Sequence, residues 1–274
     1  MSGYFGRASA IGHAGEILQG AVRLHGRVEP FLVTLPYPAF QSKATVRPAA
    51  EWSVTPAWRT KALHAAKLTW NNGTALAVSI DSAIPIGRGC GSSTADCVAT
   101  VRAVADLSGL SIANEAIAQL VQRAELASDA TMFDHEPVAF LPRRGEILRR
   151  FSGEWPVLHV EWIDLGGASV STTDLAVPVY SNAELDEFEQ LLKELEFAFQ
   201  NGDIAVIGKV ATRSAVIHQS HHRHPEFDCL RRAAEDAGAL GVAIAHSGTI
   251  VTVLSKAPLD LKGGSLVYSA SRRR

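Results

Sequence analysis

The sequence predicts an α+β protein, on three observations. The first third reads mainly as strands. A glycine run, Gly87, Gly89 and Gly91, then opens into a helix. The C-terminal part sets helices of clear apolar periodicity ahead of further short strands, and strands and helices mixed in this order suit an α+β arrangement. With 274 residues, 47% of them hydrophobic, the chain can build one large domain or two modest ones. A soft boundary is expected near Gly153, dividing the chain into residues 1–153 and 154–274 with a cleft between them.

Residues 31–35 are apolar and β-rich, residues 44–46 offer a further short strand, and 76–80 alternate into Asp81 as they approach the glycine run. Helices follow near 93–107 and 112–126. The first carries Cys97, Val98, Val101, Val104 and Ala105 on one apolar stripe, and the second has Ser111 and Asn114 as candidate caps. Residues 157–162 read as a strand again, broken by Gly166-Gly167. Ser181 with Glu184 fits a capping box, after which Leu185, Phe188, Leu191, Leu192, Leu195 and Phe199 recur at helical spacing. Asn201-Gly202 ends that helix, and Asp203 can cap another running to about residue 217. A third spans about 226–237 and closes at Gly238. Strands over 241–245 and 250–254 then flank a short loop, and a last strand is expected near 265–268.

Composition narrows the function. The net charge of −2 argues against a nucleic-acid partner, which calls for a basic face. Arg272 to Arg274 read as a solvated tail. Three cysteines, Cys90, Cys97 and Cys229, without C-x-x-C spacing argue against a disulfide framework or a zinc site and for a reducing, cytoplasmic setting. The N-terminal residues lack an apolar signal core, and the sequence holds no apolar run long enough for a membrane span.

The chemistry concentrates in four stretches. P-I-G-R-G-C-G-S-S-T, from Pro85 to Thr94, is a glycine loop emptying into a helix start. Glycine lets the backbone approach an anion closely, and the first helical N–H groups have no intrahelical partner. A serine there could serve only as an N-cap, but a cap needs no glycine run. The loop has no lysine, so it is not the G-x-x-x-x-G-K-[ST] type, and its third glycine falls too early for G-x-G-x-x-G. Arg88 is its only cation. Upstream, G-H-A-G-E-I-L-Q-G at residues 12–20 packs three glycines into a tight segment that is either a hairpin with His13 and Glu16 solvated or part of a site. Downstream, Glu125 and Asp129 stand one helical turn apart in E-L-A-S-D-A-T-M-F, and phosphoryl transfer to an alcohol needs a carboxylate near the hydroxyl and a metal near the phosphates. G-V-A-I-A-H-S-G-T at 241–249 is a strand followed by a glycine turn. Between them, four histidines over residues 218–224 fit a polar helix end before Pro225 better than a metal site.

These stretches resemble the motifs of the GHMP kinases, the group named for galactokinase, homoserine, mevalonate and phosphomevalonate kinases. Pro85, Gly89, Gly91, Ser92 and Ser93 match P-x-x-x-G-[LI]-x-S-S in register, with Cys90 where leucine is usual. G-E-I-L-Q-G, S-D-A-T-M-F and A-H-S-G-T look like the L-threonine kinase branch of cobalamin biosynthesis and propanediol utilisation; Leu126-Ala127 replace its Glu-Pro, and the glutamate sits one place earlier, at Glu125. The resemblance implies a ribosomal-S5-domain-2-like N-terminal half and a ferredoxin-like C-terminal half. It implies ATP held by Pro85, Gly87, Arg88, Gly89, Cys90, Gly91, Ser92, Ser93 and Thr94, and Mg²⁺ held by Ser92, Ser93 and Glu125. Asp129 would orient or deprotonate the attacking hydroxyl, and Arg88 would neutralise charge on the transferred phosphoryl group. Gly15, Glu16, Gln19, His246, Ser247, Gly248 and Thr249 would line the pocket of a small amino-acid substrate, L-threonine first. Serine, homoserine, a specialised precursor, a non-catalytic nucleotide binder and a homodimer stay open.

Overall fold

The computed structural model describes residues 4–166 and 178–259. The strand expected at 265–268, the arginine tail and Gly167 lie outside them. Among the described residues, β1 (Gly6–Leu24), β2 (Arg27–Ala49), β3 (Ser53–Thr55), α1 (Thr60–Thr69), β4 (Ala75–Ser82), α2 (Ser92–Leu107) and α3 (Asn114–Glu125) come first. A 3₁₀ turn (Thr131–Phe133), β5 (Val138–Leu141), β6 (Glu146–Arg150) and β7 (His159–Asp164) follow, then α4 (Asn182–Asn201), α5 (Ile204–His221), α6 (Phe227–Asp236), β8 (Gly241–Ile244) and β9 (Ile250–Ser255).

The strands form one sheet in the order β3-β4-β2-β1-β8-β9-β7, with β5 joined to β2 and β6 to β5. Its spine is the long β1–β2 hairpin, which turns at His25 and Gly26, both at positive φ. The mixed sheet with packed helices agrees with the α+β expectation. Strand β1 is the element that periodicity does not reveal. Every residue from Gly12 to Val22 is buried, so the strand shows no alternation of apolar and polar positions. The two short stretches expected at 31–35 and 44–46 are parts of the single strand β2.

Helix α2 packs against β1, β2, α1 and α3. That enclosure buries it on nearly every side, Thr94 to Val101 included. Helices α4 and α5 lie against β1, and α5 also covers β8. The caps of α4 and α5 are the expected ones. Ser181 and Glu184 form a capping box, and the Asp203 carboxylate accepts from the Ala205 and Val206 N–H groups. The caps expected for α3 are not used: the helix starts at Asn114 with Ala113 at the cap position and no side-chain bond. Gly153 lies in the connection between β6 and β7, against the Phe199 backbone of α4, and one core cluster runs from Ala10 to Leu254. No helix among the described residues is long and apolar enough to cross a membrane.

Candidate active site

The turn between β4 and α2 takes its shape from glycine. Gly87, Gly89 and Gly91 have φ of 67°, 80° and 68°, a region that costs other residues about 1–2 kcal/mol each. At Gly89 a Cβ would also lie 1.9 Å from the Ser247 carbonyl oxygen. The β8–β9 loop therefore closes directly onto the glycine loop, and the Thr249 N–H donates to the Arg88 carbonyl at 3.2 Å. Gly91 is the N-cap of α2, and no side chain caps the helix. The serines are thus not caps, and the first-turn N–H groups have no side-chain acceptor.

Strand β1 reaches the same place by irregularity. Its register against β2 shifts at Ile11/Gly12, His13/Glu16 and Glu16/Leu18, with Gly15 at φ 80°. Such bulges re-aim side chains. Here they turn His13 under the glycine loop, where its N–H donates to the Cys90 carbonyl at 3.1 Å. Its ring occupies the room that Gly91 leaves, since a Cβ there would lie 2.5 Å from His13 Cδ2. His13 Nε2 is 3.2 Å from Asp129 Oδ2, and Nδ1 is 3.6 Å from Glu16 Oε1.

Asp129 arrives from the end of α3. The helix stops at Leu126, a non-glycine residue at φ 71°, and the chain turns inward. Glu125, 3% exposed, stays in the helix and accepts from the Thr94 hydroxyl at 2.8 Å. Lys61 Nζ of α1 lies 3.4 Å from its other oxygen. Thr94 Oγ1 also lies 3.4 Å from Asp129 Oδ2 and accepts from the Asp129 N–H.

These groups surround one cavity of about 180 Å³. Of the residues expected in the site, Gly87, Gly89, Cys90, Gly91, Ser92, Ser93, Thr94, Glu125, Asp129, His246 and Ser247 line it. The others do not. Pro85 precedes the loop. Arg88, expected at the phosphoryl group, instead sets its Nε 3.2 Å from Asp164 Oδ2, whose other oxygen accepts from the Thr249 hydroxyl. Gly248 backs onto the Arg88 carbonyl carbon, where a Cβ would come within 2.3 Å. Gly15, Glu16 and Gln19, expected against substrate, form a layer behind, because the bulged strand is covered by its own His13 and by His246. Gln19 Nε2 donates to the Ile244 carbonyl at 3.1 Å, and its Oε1 lies 2.9 Å from His246 Nδ1, so Gln19 orients His246. Four lining residues went unassigned in the sequence, the apolar Ile86 and Ala127 and the ionisable His13 and Lys61. His13 was visible only as a member of its glycine motif. Lys61 is the only lysine or arginine among the lining residues, and it sits in a helix without a sequence signal. The 218–224 histidines do not converge: His221 Nε2 turns to Glu184 Oε1 at 2.7 Å, while the ring of buried His218 stands 6.2 Å from that of His246.

The electrostatics of the cavity are uneven. Burial opposes a charge on His13, but Asp129 and Glu16 together raise its pKa to about 9. Burial raises Glu16 to about 7 despite His13. Asp129 is lowered: burial acts against ionisation, and the His13 charge and hydrogen bond overcome it. Burial lowers His246 to about 4, so it is neutral. Glu125 is raised by burial, against Lys61 and hydrogen bonds from Ser93 and Thr94.

Residues 57–137 match the model of the GHMP kinases N terminal domain. The matched stretch holds the glycine loop, α2, Glu125 and Asp129. L-threonine kinase from Citrobacter freundii is 26% identical over 185 residues, 65% of this chain and 61% of that protein. Mevalonate kinase from Thermococcus onnurineus (strain NA1) is 36% identical over 119 residues, 41% of this chain and 34% of that protein. These matches thus span roughly a third to three fifths of the relatives' own lengths. The crystal structure of mevalonate kinase from methicillin-resistant Staphylococcus aureus MRSA252 superposes with a TM-score of 0.63 at 18% identity, covering 93% of this chain and 91% of that one. That likeness shows the fold: GHMP-kinase α+β.

Proposed function

We propose that this chain is an ATP-dependent GHMP-type kinase of a small hydroxyl-bearing molecule, L-threonine before serine or homoserine. The supporting observation is the cavity itself, where an uncapped helix N-terminus and an ionised carboxylate face one space. The helix end and glycine loop suit the phosphates of ATP. The hydroxyls of Ser92 and Ser93 and the carboxylate of Glu125 form an all-oxygen set, the donor chemistry that suits Mg²⁺. When bound, ATP supplies the phosphoryl group and Mg²⁺ neutralises its charge. Asp129 accepts the hydrogen bond of the acceptor hydroxyl and directs its oxygen. With its pKa lowered, Asp129 orients more than it deprotonates. Lys61 favours the ionised form of Glu125 and offsets part of the burial that raises its pKa. The β8–β9 loop shuts the cavity from one side. The threonine preference rests on the likeness of the three motifs to the L-threonine kinase branch and on 26% identity to the Citrobacter freundii L-threonine kinase over 65% of this chain.

The test is mass-spectrometric detection of phosphorylated product with L-threonine, L-serine, L-homoserine and mevalonate. O-phospho-L-threonine is expected as the main product. Serine is expected to react more slowly, having lost a methyl contact of about 0.8 kcal/mol. Product from mevalonate or homoserine well above threonine would reject the acceptor and keep the kinase. No product from any acceptor would reject the kinase reading.

The double substitution Ser92→Ala, Ser93→Ala removes both hydroxyls and keeps the glycine path. Turnover is expected to fall by about 10²-fold or more, the scale of lost preorganised contacts at a charged transition state. Circular dichroism should show the fold retained. Wild-type turnover with unchanged Mg²⁺ dependence would remove the serines from the metal site.

A further inference from the structure

His13, which lines the cavity, and Glu16, buried behind it, form a pair with a role that the kinase reading does not assign. We propose that His13 is the positioning residue of this site, a cation locked between Glu16 and Asp129 that aims the Asp129 carboxylate at the acceptor hydroxyl. The proposal rests on that kinase reading.

Four observations carry it. First, the contact is specific: the ring bridges two carboxylates from different parts of the chain, with nitrogen–oxygen distances of 3.2 Å to Asp129 and 3.6 Å to Glu16. One oxygen from each carboxylate and a ring nitrogen lie within 4.8 Å of one another. Second, the group is sealed. His13 is 2% exposed and Glu16 is 1% exposed. The His13 imidazole and the Thr34 hydroxyl are the groups that favour a charge on Glu16, which burial and Asp129 oppose. A buried carboxylate without a compensating cation is costly. Third, the ring is wedged in place. The His13 backbone N–H donates to the Cys90 carbonyl, which fixes where the side chain starts, and the Cδ2 edge of the ring packs onto Gly91, where even a methyl group would collide. Fourth, among the described residues the other hydrogen bond to the Asp129 carboxylate comes from Thr94, at 3.4 Å. Without the imidazole, the carboxylate would lose its charged partner and keep that long hydrogen bond.

Charge follows from the surroundings. His13 is faced by Glu16 from β1, Asp129 from the segment after α3, His246 from the β8–β9 loop and Cys90 from the glycine loop. His246 is neutral, lowered to about 4, and burial pushes the Cys90 thiol up to about 12. The two carboxylates therefore decide the protonation of His13, which persists up to about pH 9. Activity should accordingly fall as pH rises through about 9, because deprotonated His13 no longer holds Asp129 by charge.

Two arms test this. In the first, kcat and KM are measured across pH for wild type, His13→Gln and His13→Lys. Glutamine keeps a donor without charge, and lysine keeps the charge. His13→Gln is expected to lower kcat at least 10-fold with KM for ATP changed less than about 2-fold, and to lose the alkaline limb near pH 9. His13→Lys should recover part of kcat and move the limb upward. Wild-type kcat and limb in His13→Gln, or an equal loss in nucleotide affinity, would overturn the role. In the second arm, ¹⁵N imidazole NMR follows His13 in the wild-type protein, so the answer does not depend on a variant folding. Titration near 9, lowered in Asp129→Asn, supports the ion pair; titration at or below 6.5 overturns it. A wild-type protein that phosphorylates no hydroxyl acceptor would end the kinase reading and the positioning role together, while the NMR arm would still decide the ion pair.

Discussion

Asp129→Asn is expected to lower kcat by about 10²-fold or more, the contribution typical of a positioned acid–base group, while ATP affinity stays near wild type. The substitution is nearly isosteric, so the 3.4 Å contact with Thr94 and the fold can persist. What it removes is the negative charge facing His13 and the hydroxyl's acceptor. The side of the cavity proposed to hold the nucleotide, lined by Gly87, residues 89–94 and Glu125, is untouched. Kinetics and a nucleotide titration on the same sample decide the matter. If ATP binding collapses while turnover per bound ATP stays normal, Asp129 belongs to the nucleotide or metal and its assigned role is wrong. The variant also changes its neighbours: without the Asp129 charge, His13 loses the first of the attractions that raise its pKa. Part of the loss therefore reaches activity through His13, and Asp129→Asn combined with His13→Gln should cost much less than the sum of the two single effects.

Gly89→Ala is expected to abolish measurable nucleotide binding and to destabilise the protein by more than backbone strain alone. Two costs add. The residue sits at φ 80°, where alanine costs about 1–2 kcal/mol. The new methyl would also meet the Ser247 oxygen at 1.9 Å, so the glycine loop and the β8–β9 loop must separate. Gly238→Ala isolates the first cost. That glycine has φ 85° with nothing within 4 Å of its added methyl, and it lies past the end of α6, away from the cavity. It should lose about 1–2 kcal/mol of stability and keep full nucleotide binding. Denaturant titration and isothermal calorimetry on both variants make the comparison. Equal behaviour of the two would mean that the contact between the loops does not shape the site.

Some features of the molecule were readable in its sequence. The alternating glycines of the loop were, because positive φ is a demand made locally on each residue. The capping box of Ser181 and Glu184 and the apolar stripes were readable for the same reason. The Ser111 and Asn114 caps failed because the chain enters α3 at Ala113 in an extended conformation that neither side chain completes. Strand β1 was hidden because both its faces are buried, which erases the period of two. Arg88 looked like a phosphate ligand because it is the loop's only cation, but the left-handed residues on either side of it carry its side chain outward to Asp164.

The sequence by itself determined the α+β class, the glycine loop feeding α2, and the segments that contribute Glu125, Asp129 and His246. Each of these depends on residues only a few positions apart, whose dihedral preferences, caps and periodicities act within a turn or a strand. Only the tertiary structure decided that His13 and Lys61 enter the cavity, that Glu16 and Gln19 stand behind it, and that Arg88 leaves it. Those outcomes depend on the bulged register of β1 against β2 and on the packing of α1 and α3 around α2. Side chains dozens of positions apart meet only when one-residue shifts in that register send them to one face rather than the other, and no local preference encodes that choice.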